Sequence, residues 1–222
     1  MNARTSQRPL HKLIRHVVSR HIISTSQIHH TPTTPRATLT IERRTLSSSN
    51  EQDFPPAEIR DVLEQISTLL KERNETVSVA ETAAGGLISS SILSTPGATG
   101  IYKGGLTLYT LPSRIAYAGW SQETISNYKE PTTDIVTGLA KHVRKDLEST
   151  YTIAESGTAG PTGGTTPNRN PGYVALAVDC DKGTFTKELN TGLGGDRVAN
   201  MKSSAVEALT LLKEVIKGEA KL

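Results

Sequence analysis

The run TVSVAETAAGGLISSSIL, residues 76–93, constrains this chain more than any other stretch. Val77 and Val79 alternate with small residues, which predicts a buried strand over 77–80. Glu81-Thr82 then form a polar turn, and a helix over 86–94 opens near Gly85-Gly86. A strand followed directly by a helix puts the turn's side chains at the strand's carboxyl end, beside the unpaired N–H groups of a helix amino terminus. Such a place favours an anion or a developing negative charge. Thr82 therefore stands where a nucleophilic or phosphate-binding hydroxyl would be useful. The alternative is that Thr82 only caps the helix.

The rest of the chain supplies partners for that unit. After Pro55-Pro56, the apolar residues Ile59, Val62, Leu63, Ile66, Leu69 and Leu70 fall on one stripe and predict a helix. Gly104-Gly105 lead into a strand over 106–109, whose end carries the Thr110–Arg114 turn. A helix is predicted over 133–147 and a strand over 151–155, followed by the glycine-rich loop SGTAGPTGG, residues 156–164. Strands over 173–178 and 184–189, joined by turn residues, read as a hairpin. A last helix follows Gly194-Gly195-Asp196-Arg197. This order predicts a three-layer α/β/α domain with a mixed, mostly parallel sheet. In such sheets ligands bind at the strands' carboxyl ends, where the loops at 81–86, 110–114, 156–164 and 194–197 converge. The loops imply a small-molecule anion as ligand and leave the reaction undefined.

Charge separates the chain into two parts. Of 25 Lys and Arg, eight lie in the first fifty residues, and of 22 Asp and Glu only Glu42 does, so residues 51–222 carry a net −4. The basic balance belongs to the amino-terminal segment, and the body gives no nucleic-acid signal. Residues 1–51 are rich in Ser, Thr, Arg and His, with Leu10, Leu13, Ile14, Val17 and Val18 at helical spacing. They read as a disordered basic leader of the kind that serves as a mitochondrial presequence; without that address the chain would be cytoplasmic. Cys180 is the only cysteine, which excludes an internal disulfide or a cysteine-built zinc site. No apolar run predicts a membrane span.

Five motifs together resemble the CinA carboxyl-terminal domain family. Ala80–Gly86, AETAAGG, is similar to its AESCTGG; Gly104-Gly105 with Tyr109 to its GG…Y; and 156–164 to its (S/T)GIAGPxGG. Pro171-Gly172-Tyr173-Val174 resembles PVGTV, and Gly195-Asp196-Arg197 matches GDR at the start of the last helix. The resemblance spans about 52–220 and implies a nicotinamide mononucleotide deamidase that releases ammonia without metal or cofactor. It further implies a homodimer and a nucleotide substrate.

The resemblance also implies roles. The nucleophilic serine falls on Thr82, the motif tyrosine on Tyr109, the hydroxyl before GIAGP on Ser156, and the phosphate-gripping arginine on Arg197. Backbone N–H groups at Gly85, Gly86, Gly160, Gly163 and Gly164 are candidates to hold phosphate or oxyanion. The departures are as informative. The family's lysine after the tyrosine is Arg114, which cannot be deprotonated and so cannot act as base, although it can hold negative charge. The cysteine and threonine after the nucleophile are Ala83 and Ala84, and Lys129-Glu-Pro-Thr132 stand in place of GAVS. Glu81 and Tyr109 are the surrogate bases on offer. Two readings stay open: a deamidase with a rewired base, or a nucleotide-binding homologue that acts as sensor or scaffold.

Overall fold

Residues 54–221 are described by the computed structural model, so the leader lies outside the described residues. The first strand, β1 (Val77–Glu81), is buried at every position. Its period-2 pleat sends Val77 and Val79 into one apolar cluster and Ala80 into another, on the opposite face of the sheet. Ser78 shares the Ala80 face and is satisfied there by the hydroxyls of Ser149 and Thr152 at 2.7 and 2.6 Å.

The elements in chain order are α1 (Ala57–Arg73), β1, α2 (Leu87–Leu93), β2 (Tyr102–Thr107), α3 (Leu111–Tyr117), α4 (Gln122–Asn127) and α5 (Thr133–Leu147). They continue with β3 (Tyr151–Gly157), β4 (Tyr173–Cys180), β5 (Gly183–Asn190) and α6 (Arg197–Lys217). The sheet order is β2-β1-β3-β4-β5. β2, β1 and β3 pair in parallel, and β4 is antiparallel to both β3 and β5. Four strands therefore run one way and only β4 runs against them.

Helices α1, α2 and α6 cover one face through Ile59, Ile66, Leu70, Ile88, Leu209 and Leu212. α5 covers the other with Val136, Leu139 and Val143, against Ala80, Ala154, Ala175 and Ala177. The small strand residues let α5 lie close to the sheet. The three-layer reading of the sequence is the architecture found.

Two local differences bear on the site. The second strand is Tyr102–Thr107 rather than 106–109, and it carries both glycines inside it. A Cβ on Gly105 would come 2.6 Å from Ser89 Oγ of α2, so glycine lets α2 approach. Residues 110–114 are the start of helix α3, not a free loop. The Thr110 side chain accepts the Ser113 N–H as the amino-terminal cap, and Pro112 sits in the first turn, where its missing N–H costs nothing. Among the described residues no helix is long and apolar enough to cross a membrane.

Candidate functional site

Strands β1 and β3 run side by side, and the exit of the first with the last residues of the second form the floor of a cleft of about 440 Å³. Thr82 and Ala83 come from the β1 exit, Ser156 and Gly157 from the β3 end, and Thr158 to Gly160 with Thr162 from the glycine-rich loop. Tyr109 and Arg114 enter from α3 and its lead-in, and Arg197 from the first residue of α6. All four predicted loops reach this one cavity, through Thr82, Arg114, Ser156 with Gly160, and Arg197, and Tyr109 joins them from just before the second.

Thr82 is almost fully buried, and its hydroxyl donates to Ser156 Oγ at 3.2 Å. It does not cap α2. The helix begins at Leu87, after Gly86 in a left-handed conformation at φ 99°, a position that favours glycine. The first-turn N–H groups are taken instead by Glu81: its Oε2 accepts Ile88 N–H and its Oε1 accepts Ser89 N–H, both at 3.0 Å. Both Glu81 oxygens are thus committed to the helix, which removes Glu81 as a surrogate base. Tyr109 is an exposed residue whose hydroxyl accepts from Arg197 Nη2 at 3.4 Å. Arg197 also donates through Nη1 to the Gly160 carbonyl at 2.8 Å, which ties the start of α6 to the glycine-rich loop. Asn200, one turn on, reinforces this joint through Ala159 O and Gly194 O at 2.9 and 2.8 Å.

The remaining predicted glycines lie elsewhere. Gly85 and Gly86 border a different cavity, of about 1180 Å³, with Phe54, Leu87, Val198 and Met201. Gly163 and Gly164 are not among the residues lining the Thr82 cleft. They wrap Arg169: a Cβ on Gly163 would stand 2.7 Å from Arg169 O, and one on Gly164 would stand 2.6 Å from Arg169 Cδ. Gly164 N–H donates to Arg169 O at 2.9 Å. Their absent side chains seat an arginine that does line the cleft.

Three residues escaped the sequence reading. Glu155 is wholly buried beneath the floor, where its Oε2 accepts the N–H of Thr82 at 3.1 Å and of Ala84 at 2.9 Å. Its Oε1 has no hydrogen-bond partner. Burial pushes the carboxyl up to about 7; the N–H bonds from Ala84 and Thr82 pull it down, and the charge of Glu81 pushes it up again. A charge at the end of an otherwise apolar strand, IAES, was its only sequence signal. Tyr128 and Arg169 also line the cleft. The Arg114 guanidinium is buried 4.9 Å from the Trp120 ring centre and 5.0 Å from that of Tyr128, and Arg169 lies 5.8 Å from Tyr128. Arg114 Nε donates to Leu108 O at 3.4 Å, and Nη1 has no partner. No Asp or Glu lines the cleft, and none of its three arginines pairs with a carboxylate among the described residues. The lining therefore carries three guanidinium groups and no carboxylate, with hydroxyls at its floor, which favours an anionic ligand. No group of His, Cys, Asp and Glu among the described residues could hold a metal ion.

Comparison with known proteins places the chain among relatives. The family model described as the CinA C-terminal domain matches residues 59–216. A CinA-like protein of Flavobacterium psychrophilum is 32% identical over 157 residues, 70% of this chain and 37% of that protein. One of Fervidobacterium nodosum is 35% identical over 159 residues, 72% of this chain and 38% of that protein. The chain thus spans under two-fifths of the length of these relatives. Among solved structures, the competence/damage inducible protein CihA of Agrobacterium tumefaciens superposes with a TM-score of 0.67 at 24% identity, over 73% of this chain and 97% of that one. The competence or damage-inducible protein of Enterobacter asburiae does so at 0.65 and 22%, over 71% and 98%. These two likenesses establish a shared fold.

Proposed function

The chain belongs to the CinA C-terminal domain family, and from its cleft we propose that it hydrolyses the carboxamide of nicotinamide mononucleotide, with Thr82 as nucleophile. The observation that carries this reading is a buried hydroxyl, Thr82, hydrogen-bonded to Ser156 on the floor of a cavity that only cationic and neutral groups line. Thr82 Oγ attacks the carboxamide carbon, and its proton is relayed through Ser156 to the amide nitrogen, so that the C–N bond breaks with the nitrogen leaving as ammonia. The tetrahedral oxyanion forms in the field of Arg114 and collapses as the C–N bond breaks. Water then cleaves the acyl ester, so that amide and water become carboxylate and ammonium. Arg197, at the outer wall with Tyr109, grips the phosphate. Glu155 acts as a positioning residue. It fixes the Thr82 and Ala84 amides, and its charge state sets the potential at the nucleophile.

A second reading, a nucleotide binder that no longer hydrolyses, is favoured by one observation. The Thr82 hydroxyl donates to another neutral hydroxyl, not to a lysine or carboxylate. Ammonia release from nicotinamide mononucleotide by the purified chain separates the two: release that disappears in Thr82→Ala supports hydrolysis, and no release supports binding alone.

A further inference from the structure

We propose that Arg114 and Arg169, gathered on the ring of Tyr128, form a second anion subsite, so that the cleft binds a phosphomonoester bearing a carboxylate more tightly than its carboxamide counterpart. The inference rests on the hydrolytic reading for its choice of carboxylate, since that reaction makes one beside Thr82.

The argument begins with two like charges held by one ring. Both guanidinium groups lie within 6 Å of the Tyr128 centre, and Arg114 is also covered by Trp120. Aromatic faces hold a cation without neutralising it. A buried arginine ordinarily meets a carboxylate. Here no carboxylate pairs with Arg114 or Arg169 among the described residues. Arg114 Nη1 is buried with no acceptor, an arrangement that costs free energy unless a ligand supplies one. A purely structural stacking role for Arg114 would leave that donor without purpose. Arg169 is anchored by its Nε on Lys129 O at 2.6 Å and enclosed by Gly163 and Gly164, so its position is built rather than incidental.

A guanidinium fork matches a carboxylate bidentately, whereas a carboxamide offers one acceptor oxygen and a donor that faces another donor. The proposed function gives the phosphate to Arg197, a separate guanidinium of the same cleft that donates to Gly160 O and Tyr109 Oη. The cleft therefore has a cationic group for each end of a doubly anionic ligand. It should hold the acid that hydrolysis produces and release it slowly.

The test is calorimetric titration of the full chain carrying Thr82→Ala, which prevents turnover, with nicotinic acid mononucleotide, nicotinamide mononucleotide and ribose 5-phosphate. The acid is expected to bind about tenfold or more tightly than the amide, the worth of one charge-assisted contact. Arg169→Gln should erase most of that preference and leave ribose 5-phosphate unchanged. Arg114→Gln should do the same, and where it fails to fold, as judged by circular dichroism, Arg169→Gln decides. Equal affinity for acid and amide, no binding of the acid, or parallel loss of all three ligands in Arg169→Gln would overturn the proposal. Acid preference in a chain whose Thr82 form releases no ammonia would keep the subsite and reject the hydrolysis.

Discussion

Glu155 Oε2 accepts the backbone N–H of Thr82 at 3.1 Å, so the candidate nucleophile is held by a carboxyl that no solvent reaches. The contact joins the ends of two parallel strands and places a titratable group directly under the reacting residue.

That group should leave a mark on stability. Burial raises the Glu155 carboxyl from an ordinary 4.5 to about 7, so between those values the folded chain keeps a proton that the unfolded chain has lost. The unfolding free energy must then fall as pH rises through that window, by roughly 3 kcal/mol, and level off above it. Glu155→Gln removes the titration and should flatten this slope in urea unfolding measured from pH 5 to pH 8. An equally steep slope in the variant would mean that other groups carry it.

Arg197→Ala should weaken nucleotide binding by about 1.5–3 kcal/mol, the worth of a charge-assisted contact, and affect the nucleoside little. Part of the loss should also appear as a looser glycine-rich loop, because Arg197 holds Gly160 O at 2.8 Å. Calorimetry with equal losses for nucleotide and nucleoside would assign Arg197 to the loop alone.

Much of this was legible beforehand. The alternation at Val77 and Val79 and the apolar stripes of α1, α5 and α6 are local patterns that burial enforces, so the layers could be read directly. Thr82, Tyr109, Arg114, Ser156 and Arg197 could be placed at strand ends and helix starts. Helices α3 and α4 carry no apolar stripe long enough to read, because each is under two turns long and Pro112 reads as a breaker; the capping hydroxyls of Thr110 and Ser121 are the signals that mark them. Glu155, Tyr128 and Arg169 were not legible as site residues. Glu155 meets Thr82 across 73 positions, and Tyr128 meets Arg169 across 41, so only the folded chain brings them together.

Arg114→Lys tests whether the missing base limits the rate. A lysine in this buried place can lose its proton and accept one from the nucleophile, which arginine cannot do. Deamidation should rise, while the melting temperature falls because the contacts with Trp120, Tyr128 and Leu108 O are weakened. An unchanged rate in a folded variant would show that proton removal from Thr82 does not depend on this position.

The most direct measurement is ammonia release from nicotinamide mononucleotide by the full chain and by Thr82→Ala, with nucleotide affinity determined for both. Hydrolysis through Thr82 predicts release by the unmodified chain, a fall of at least about 10³-fold in the variant, and little change in affinity. Equal release by the two proteins would contradict Thr82 as nucleophile, and no release by either would contradict the hydrolytic account itself.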